Sequence, residues 1–356
     1  MPSPRGMAAG DLRFFRAKAV AAVSDTFDIP ELPDLEADLR RLIAAVPSGR
    51  VTTCGALAEC LGDRSAAVWI GRWLLDHTHT EECGCHRVVR AGGILGGYVG
   101  GEPAKIARLQ AEGALLPHGD WDPRALFSAD ELRLVLPVPP LAKLRERQEA
   151  VGRAVVLRPP DRPPEYLGGV DASYGPGGEA VAVYCHVRRR DGRLLERIVI
   201  RRECRFPYIS GYLAFRELPV MLAAVGEAQR AGLEPDLLLV DGAGVLHPRG
   251  AGLASHLGVT AGLPTVGVTK TLLRGTLPEG EPRLPGTQTP IAWNGATMGA
   301  CLRSQSGHAR CVYVSPGHLI DPASAAEWTM ACFRRRLPEP IYWADRLSRQ
   351  ESRQSS

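Results

Sequence analysis

No apolar run in the 356 residues is long enough to cross a bilayer, which argues against a membrane-spanning helix. The segment MPSPRGMAAGDLRFFRAKA has no secretory hydrophobic core, so a cytoplasmic location is expected. The nine cysteines are odd in number and follow no framework spacing, and they are read as free thiols rather than a disulfide scaffold. There is no internal repeat and no strong charge of either sign. A formal charge of +4 permits nucleic-acid binding without demanding it. What remains is an ordinary globular composition, 45% hydrophobic and 23% charged, in a chain long enough for two cores.

Residues 1–32 show little periodicity and read as an arm. Asp34 can cap a helix with Leu35, Leu39, Leu42, Ile43 and Val46 on one face, stopped by Pro47-Ser48-Gly49. Two short helices around Gly62, from Thr53 to Leu61 and from Ala66 to Leu75, have the spacing of a helix-turn-helix or of a plain helical hairpin. A helix from about Glu102 to Gly113 closes this unit. Five prolines between 117 and 140 then mark a linker. The expected division is an arm (1–32), a first domain (33–118), a linker (119–138), a second domain (139–325), and a C-terminal helix with a polar, mobile tail (326–356).

The second domain centres on Asp236 to Pro248. Leu237 to Val240 read as a strand buried on both faces, ending on Asp241 and followed by Gly242 and Gly244. A carboxylate at the carboxyl end of such a strand faces the crevice where α/β proteins bind ligands. Tyr166 to Ser173 is a strand containing Asp171, Asp191-Gly192 signals a hairpin, and a later helix carries Glu217. An antiparallel group with an Asp, a helix with a Glu and a parallel strand ending in Asp bring three acids to one end of a sheet, the ribonuclease-H-like arrangement. Such acids suit Mg²⁺, which prefers hard oxygen ligands and serves phosphodiester hydrolysis. Lys270 after a strand and His318 after Ser-Pro-Gly are candidates for charge stabilisation and for orienting water or metal.

From about residue 139 to 320 the chain resembles endonuclease V, the repair nuclease for deaminated purines. The matching stretches are GGVDASY, FPYISGYLAFRELP, PDLLLVDGAGVLHPRGAGLASHLGV, GLPTVGVTKTLL and VYVSPGHLID. The resemblance implies metal binding by Asp171, Glu217 and Asp241, with Lys270 and His318 as the catalytic lysine and late histidine. It implies Mg²⁺, with Mn²⁺ as the alternative, and cleavage at the second phosphodiester 3′ of deoxyinosine. The family's strand-separating wedge corresponds to Pro207, Tyr208 and Ile209, with Ser210 in place of its last proline.

Cys85-His86-Arg87-Val88-Val89 carries other chemistry, since a cysteine beside a histidine can be held as the nucleophilic thiolate, with Glu112 orienting the imidazole. His77, His79, Cys83, Cys85 and His86 also include good zinc ligands, although their spacing matches no common zinc pattern. Residues 34–116 resemble the active-site domain of O6-alkylguanine-DNA alkyltransferases and alkyltransferase-like proteins. The resemblance implies Cys85 as acceptor thiol, His86 and Glu112 as its triad partners, and Tyr98 and Arg87 at DNA-contacting positions. Gly84, Cys54, Val68 and His77 depart from the family's proline, phosphate-rotating tyrosine, arginine finger and asparagine. The fold expected is thus a small helical domain with a helix-turn-helix, alkyltransferase C-domain-like, followed by a ribonuclease-H-like mixed α/β sheet. The expected function is a monomeric repair endonuclease acting on duplex DNA with deaminated or alkylated bases and on no membrane. A damage-binding protein with little catalysis and an inosine-specific RNA nuclease are the alternatives.

Overall fold

The computed structural model describes residues 18–19, 27, 31–80, 82–92, 94–116, 121–305 and 310–354. Most of the expected arm therefore lies outside the described residues. The chain forms two compact units. The first comprises Glu31–Arg147 and Arg205–Arg216; the second comprises Gln148–Cys204 and Glu217–Ser356 and takes in Met1–Pro30. Among the described residues no helix is long and apolar enough to cross a membrane.

Strand β1 (Lys18–Ala19) belongs to the sheet of the second unit. In the first unit, α1 (Leu35–Ala44) starts where the Asp34 side chain accepts from the Ala37 amide at 2.9 Å. It buries Leu35, Leu39, Leu42 and Ile43. Strand β2 (Thr52–Thr53) leads into α2 (Cys54–Leu61), and α3 (Ala67–Asp76) follows after one 3₁₀ turn. Between them Gly62 takes φ +103, and a Cβ there would lie 2.7 Å from the Ala142 nitrogen, so the turn requires glycine. The exposed face of this second helix and the turn before it carries Arg64, Val68, Arg72 and Leu75. Strand β3 (Val88–Val89) pairs in parallel with β2, and α4 (Glu102–Ala111) carries Lys105. The fully buried Lys105 ammonium donates to the Val88 carbonyl at 2.6 Å and to those of Leu95, Gly96 and Gly97, tying the glycine-rich loop to β3.

The expected linker is not loose where it is described. Trp121, Ala125, Leu132 and Leu136 are buried, and Ser128 and Glu131 form a reciprocal capping box at the start of α5 (Ala129–Arg133). Two of the prolines noted there start elements rather than unravel them: Pro123 opens a 3₁₀ turn and Pro140 is the first residue of α6 (Pro140–Ala154). The core of this unit, built on Leu39, Leu57, Ile70 and Leu141, also includes Phe206, Ile209, Tyr212 and Phe215 from a distant stretch of sequence. The Tyr212 hydroxyl donates to Asp63 Oδ2 at 2.8 Å and to the Leu141 carbonyl at 3.2 Å.

The second unit is a mixed sheet in the order β1-β6-β5-β4-β7-β8-β11-β10-β9. Its strands are β4 (Tyr166–Tyr174), β5 (Glu179–Arg188), β6 (Arg193–Glu203), β7 (Leu237–Asp241), β8 (Thr265–Thr269), β9 (Gln288–Trp293), β10 (Ala296–Leu302) and β11 (Val312–His318). Strands β4, β7 and β8 run parallel; β5, β6, β9, β10 and β11 join by antiparallel pairings. Helices α7 (Leu213–Arg230), α8 (Leu253–Ala261), α9 (Pro322–Ala331) and α10 (Glu339–Ser352) complete the chain, α7 starting at the end of the first unit.

The expected mobile tail is instead α10, whose Ile341, Ala344, Leu347 and Ser348 are buried, with Ile341, Ala344 and Leu347 in the core that includes Leu167 of β4 and Val181 of β5. Small and apolar residues at a helical spacing outweigh the exposed arginines between them. Close packing is possible because β4 has Gly169, where a Cβ would sit 2.1 Å from the Pro340 carbonyl oxygen.

Candidate functional site

Strands β4 and β7 are neighbours in register, with Val170 opposite Val240, so Asp171 and Asp241 project at the same end of two parallel strands. Helix α10 adds a third acid. Oxygen atoms of Asp171, Asp241 and Asp345 lie within 4.8 Å of one another. Lys270, just past β8, places Nζ 3.0 Å from Asp241 Oδ2 and 3.3 Å from Asp345 Oδ1. The Ser348 hydroxyl donates to Asp171 Oδ2 at 2.7 Å, and Arg349 reaches Asp345 Oδ1 at 2.6 Å.

The electrostatics are those of crowded acids. Burial, and then the charge of Asp241, raise Asp171 to about 7. Burial likewise raises Asp241, opposed by Lys270. Burial works against the charge of Lys270, but Asp241 and Asp345 outweigh it and raise its pKa. Such a set is relieved by a cation, and all its donors are hard oxygens.

Of the acids expected from sequence, Asp171 and Asp241 meet here. Glu217 does not belong to the group of three. It is buried in α7 and lines an open cleft of about 610 Å³ with Ser173, Tyr174, Arg349 and Arg353. His318 is not brought to the acids. Strand β11 runs antiparallel to β8, pairing His318 with Thr265, the end of β8 opposite Lys270. Its Nδ1 accepts instead from the Val156 amide at 3.2 Å. Asp345 was missed because the segment around it reads as an arginine-rich surface. Pro340 at the second position of a helix, followed by Ile341, Ala344 and Leu347, was the available signal.

In the first unit, the wedge positions divide: Tyr208 is 58% exposed while Ile209 is buried in the core. Around Cys85, a 3₁₀ turn from Gly84 to Arg87 buries both the thiol and His86. His86 Nε2 lies 2.9 Å from Glu112 Oε1. Arg87 grips the same carboxylate through Nε and a terminal nitrogen at 2.9 and 2.7 Å, and also bonds the Val46 carbonyl. Burial opposes the Glu112 charge, yet Arg87 and His86 hold its pKa down at about 2. Arg87 is thus committed within the protein rather than free for a phosphate. The expected contact of His86 with the thiol is not made: His86 Nδ1 is buried without a hydrogen-bond partner, and the nitrogen next to Cys85 Sγ is His79 Nδ1, at 3.4 Å. Burial, helped by the neighbouring Cys83 thiol, pushes Cys85 up to about 12. Tyr98 is buried, its hydroxyl 3.2 Å from His79 Nε2. A cleft of about 640 Å³ lined by Cys54, Arg64, Val68, Leu75, Val88 and Arg90 opens between the helix-turn-helix and β3.

Residues 149–346 match the family described as Endonuclease V. The chain belongs to the endonuclease V family. Residues 34–114 match the DNA-binding domain of 6-O-methylguanine DNA methyltransferase. Endonuclease V of Azotobacter vinelandii is 43% identical over 237 residues, which is 65% of this chain and 96% of that relative; that of a Roseiflexus species is 40% identical over 209 residues, 58% and 91% respectively. The solved catalytic domain of human endonuclease V shares 35% identity at a TM-score of 0.57, covering 62% of this chain and 98% of that one. Endonuclease V of Ciona intestinalis, solved with a DNA containing an inosine followed by a ribo-adenosine, shares 26% at 0.55, covering 61% and 99%. This member of the endonuclease V family is therefore a DNA-repair endonuclease carrying an alkyltransferase-like DNA-binding domain. The family uses a divalent metal, and the three-carboxylate cluster has the donor chemistry for one.

Proposed function

We propose that this endonuclease cleaves duplex DNA at the second phosphodiester 3′ of deoxyinosine and other deaminated purines, as a monomer, with Mg²⁺ as its metal. The observation that carries the reading is the cluster of Asp171, Asp241 and Asp345 beside Lys270 at the ends of parallel strands. These three carboxylates would hold the cation, and a bound Mg²⁺ would supply charge stabilisation of the phosphate and a more acidic water. Ser348 fixes the orientation of Asp171, and Arg349 that of Asp345. Lys270, half exposed, is placed to turn from the acids toward an incoming phosphate. Glu217, with Arg349 and Arg353, lines a route by which a strand and a further metal oxygen ligand reach the site. Exposed Tyr208 acts as the ring that stacks beside the lesion, with Pro207 before it and buried Ile209 as its anchor. A mispaired base costs less to pull from the stack, which favours hypoxanthine over normal purines.

The first unit binds the duplex through the Arg64, Val68, Arg72 and Leu75 face, next to an apolar cleft wide enough for a base. A second reading, alkyl acceptance by Cys85, is favoured by the Glu112–His86 pair, and opposed by a buried thiol whose nearest imidazole is His79. The test is cleavage of a deoxyinosine duplex and of an inosine-containing RNA with Mg²⁺, for the wild type and Asp241→Ala. A nick one nucleotide beyond the lesion in DNA, lost in the variant, is expected. Cleavage of RNA alone would move the substrate, and binding without cleavage would leave a recognition protein. Intact mass after incubation with O6-methylguanine DNA decides alkyl transfer, a methyl gain on Cys85 being the positive result.

A further inference from the structure

The carboxylate cluster does not involve a second set of ligating side chains, in the first unit. His77 follows the last residue of α3, and His79, Cys83 and Cys85 follow within nine residues; one ligand atom from each lies within 4.8 Å of the others. Cys83 Sγ is 3.4 Å from His77 Nε2, and Cys85 Sγ is 3.4 Å from His79 Nδ1. In a tetrahedral zinc site, with Zn–S and Zn–N bonds of about 2.3 and 2.0–2.1 Å, neighbouring sulfur and nitrogen donors stand about 3.5 Å apart. The two measured spacings match those edges.

The outer ring nitrogens supply an independent observation. His77 Nδ1 lies 3.0 Å from the Trp73 carbonyl, so it carries the proton and leaves the Nε2 lone pair facing Cys83. His77 is also stacked on the Trp73 ring at 4.0 Å. His79 Nε2 meets the Tyr98 hydroxyl at 3.2 Å, leaving Nδ1 for Cys85. A metal-bound histidine characteristically has its second nitrogen held by an oxygen, which fixes tautomer and ring plane. Both histidines have such an oxygen, and both point the other nitrogen at a cysteine sulfur. An ordinary thiol–imidazole contact in a core would account for one such pair; it gives no reason for two pairs converging on one point.

We propose that His77, His79, Cys83 and Cys85 form a zinc site, closed by four protein ligands, in which Cys85 is a ligand rather than a free acceptor thiol. Binding releases the two thiol protons to solvent as the Zn–S bonds form, with no change of oxidation state. Thiolate and imidazole ligands select zinc over the Mg²⁺ that suits the carboxylate cluster, so the two sites take different metals. The site joins His77, Cys83 and Cys85 to His79, which lies against Tyr98, at the departures from the alkyltransferase pattern: His77 stands at the family's asparagine position and Gly84 at its proline.

The experiment uses the full chain, purified under reducing conditions, stripped of metal and titrated with Co²⁺ and then Zn²⁺. Sulfur-to-cobalt charge-transfer absorption and tetrahedral d–d bands are expected at one cobalt per chain and should vanish when zinc displaces cobalt. Metal in the carboxylate cluster gives no sulfur band, so the reading is independent of the nuclease assignment. Native mass should rise by one zinc less two protons, and zinc should shield Cys83 and Cys85, but not Cys54, from alkylation. Cys83→Ser should weaken the charge-transfer band by half or more, and Tyr98→Phe should weaken zinc about 10-fold. A folded, reduced wild type with no sulfur–cobalt band overturns the proposal, as does a Cys83–Cys85 disulfide in freshly isolated protein. If Cys83→Ser fails to fold, the wild-type titration and the protection pattern still decide.

Discussion

Asp345 and His318 make opposite predictions although both are polar residues late in the chain. Asp345 shares Lys270 with Asp241 and should be as sensitive as Asp241: Asp345→Ala is expected to abolish deoxyinosine cleavage while leaving the fold intact. His318 bonds the Val156 amide, and His318→Ala should cost about 1 kcal/mol in stability with cleavage unchanged, read by thermal melting alongside a nicking assay. Ser348→Ala removes the hydroxyl that orients Asp171. The expected result is about a 10-fold higher Mg²⁺ requirement with little loss at saturating metal. Asp171 and Asp241 were legible in the sequence because each lies on a buried apolar strand beside glycines, where a carboxylate has little reason to sit unless it faces a ligand crevice. Asp345 lies between Tyr342, Trp343 and Arg346 in the middle of α10, and its immediate neighbours do not mark it as different from a solvated acid. His318 is the complementary case: Ser-Pro-Gly-His looks like a turn at a strand end, but β11 is antiparallel and brings His318 to the end of β8 opposite Lys270.

Helices and strands explain how the acids meet. Helix α10 packs closely on β4 at Gly169, where a Cβ would meet the Pro340 carbonyl, so Gly169→Val should force the helix off the sheet. An overpacking cost of about 1–3 kcal/mol is expected, together with weaker metal binding because Asp345 and Ser348 move with the helix; calorimetry and a Mg²⁺ titration of cleavage measure the two effects. The β9–β10 hairpin was hidden among prolines and polar residues, although its turn is Asn294-Gly295, both with positive φ, a dipeptide typical of two-residue hairpins. In the first unit the turn from Gly84 to Arg87 depends on Glu112. Its folded pKa, about 2, is below the ordinary 4.5, so its contribution is complete above about 4.5 and is lost as pH falls toward 2. Melting of the chain between those pH values should show this loss for the first unit, and Glu112→Gln should flatten it.

At the scale of the molecule, two matched families sit in one polypeptide, and their order was readable because each match covers a long stretch around its chemistry. The boundary between them was not. Proline-rich sequence from 117 to 140 looked like a tether, yet its described part supplies buried Leu132 and Leu136, and residues 205–216 leave the nuclease sequence to fill the first unit's core. Truncation after Arg147 should therefore give a fragment lacking Phe206, Ile209, Tyr212 and Phe215. It is expected to bind a hydrophobic dye and to melt without cooperativity, unless a peptide covering residues 205–216 is supplied in trans, which should restore a cooperative transition.

Tyr212 gives this arrangement a mechanical meaning. Its hydroxyl is held by Asp63 and by the Leu141 carbonyl, while the same short stretch carries Tyr208, the aromatic assigned to the lesion. The stretch from Arg205 to Arg216 is thus seated in the core of the first unit, although its sequence falls inside the match to endonuclease V. A change at Asp63, far along the chain from every carboxylate of the metal cluster, should therefore be felt at the lesion through Tyr212 and its neighbour Tyr208.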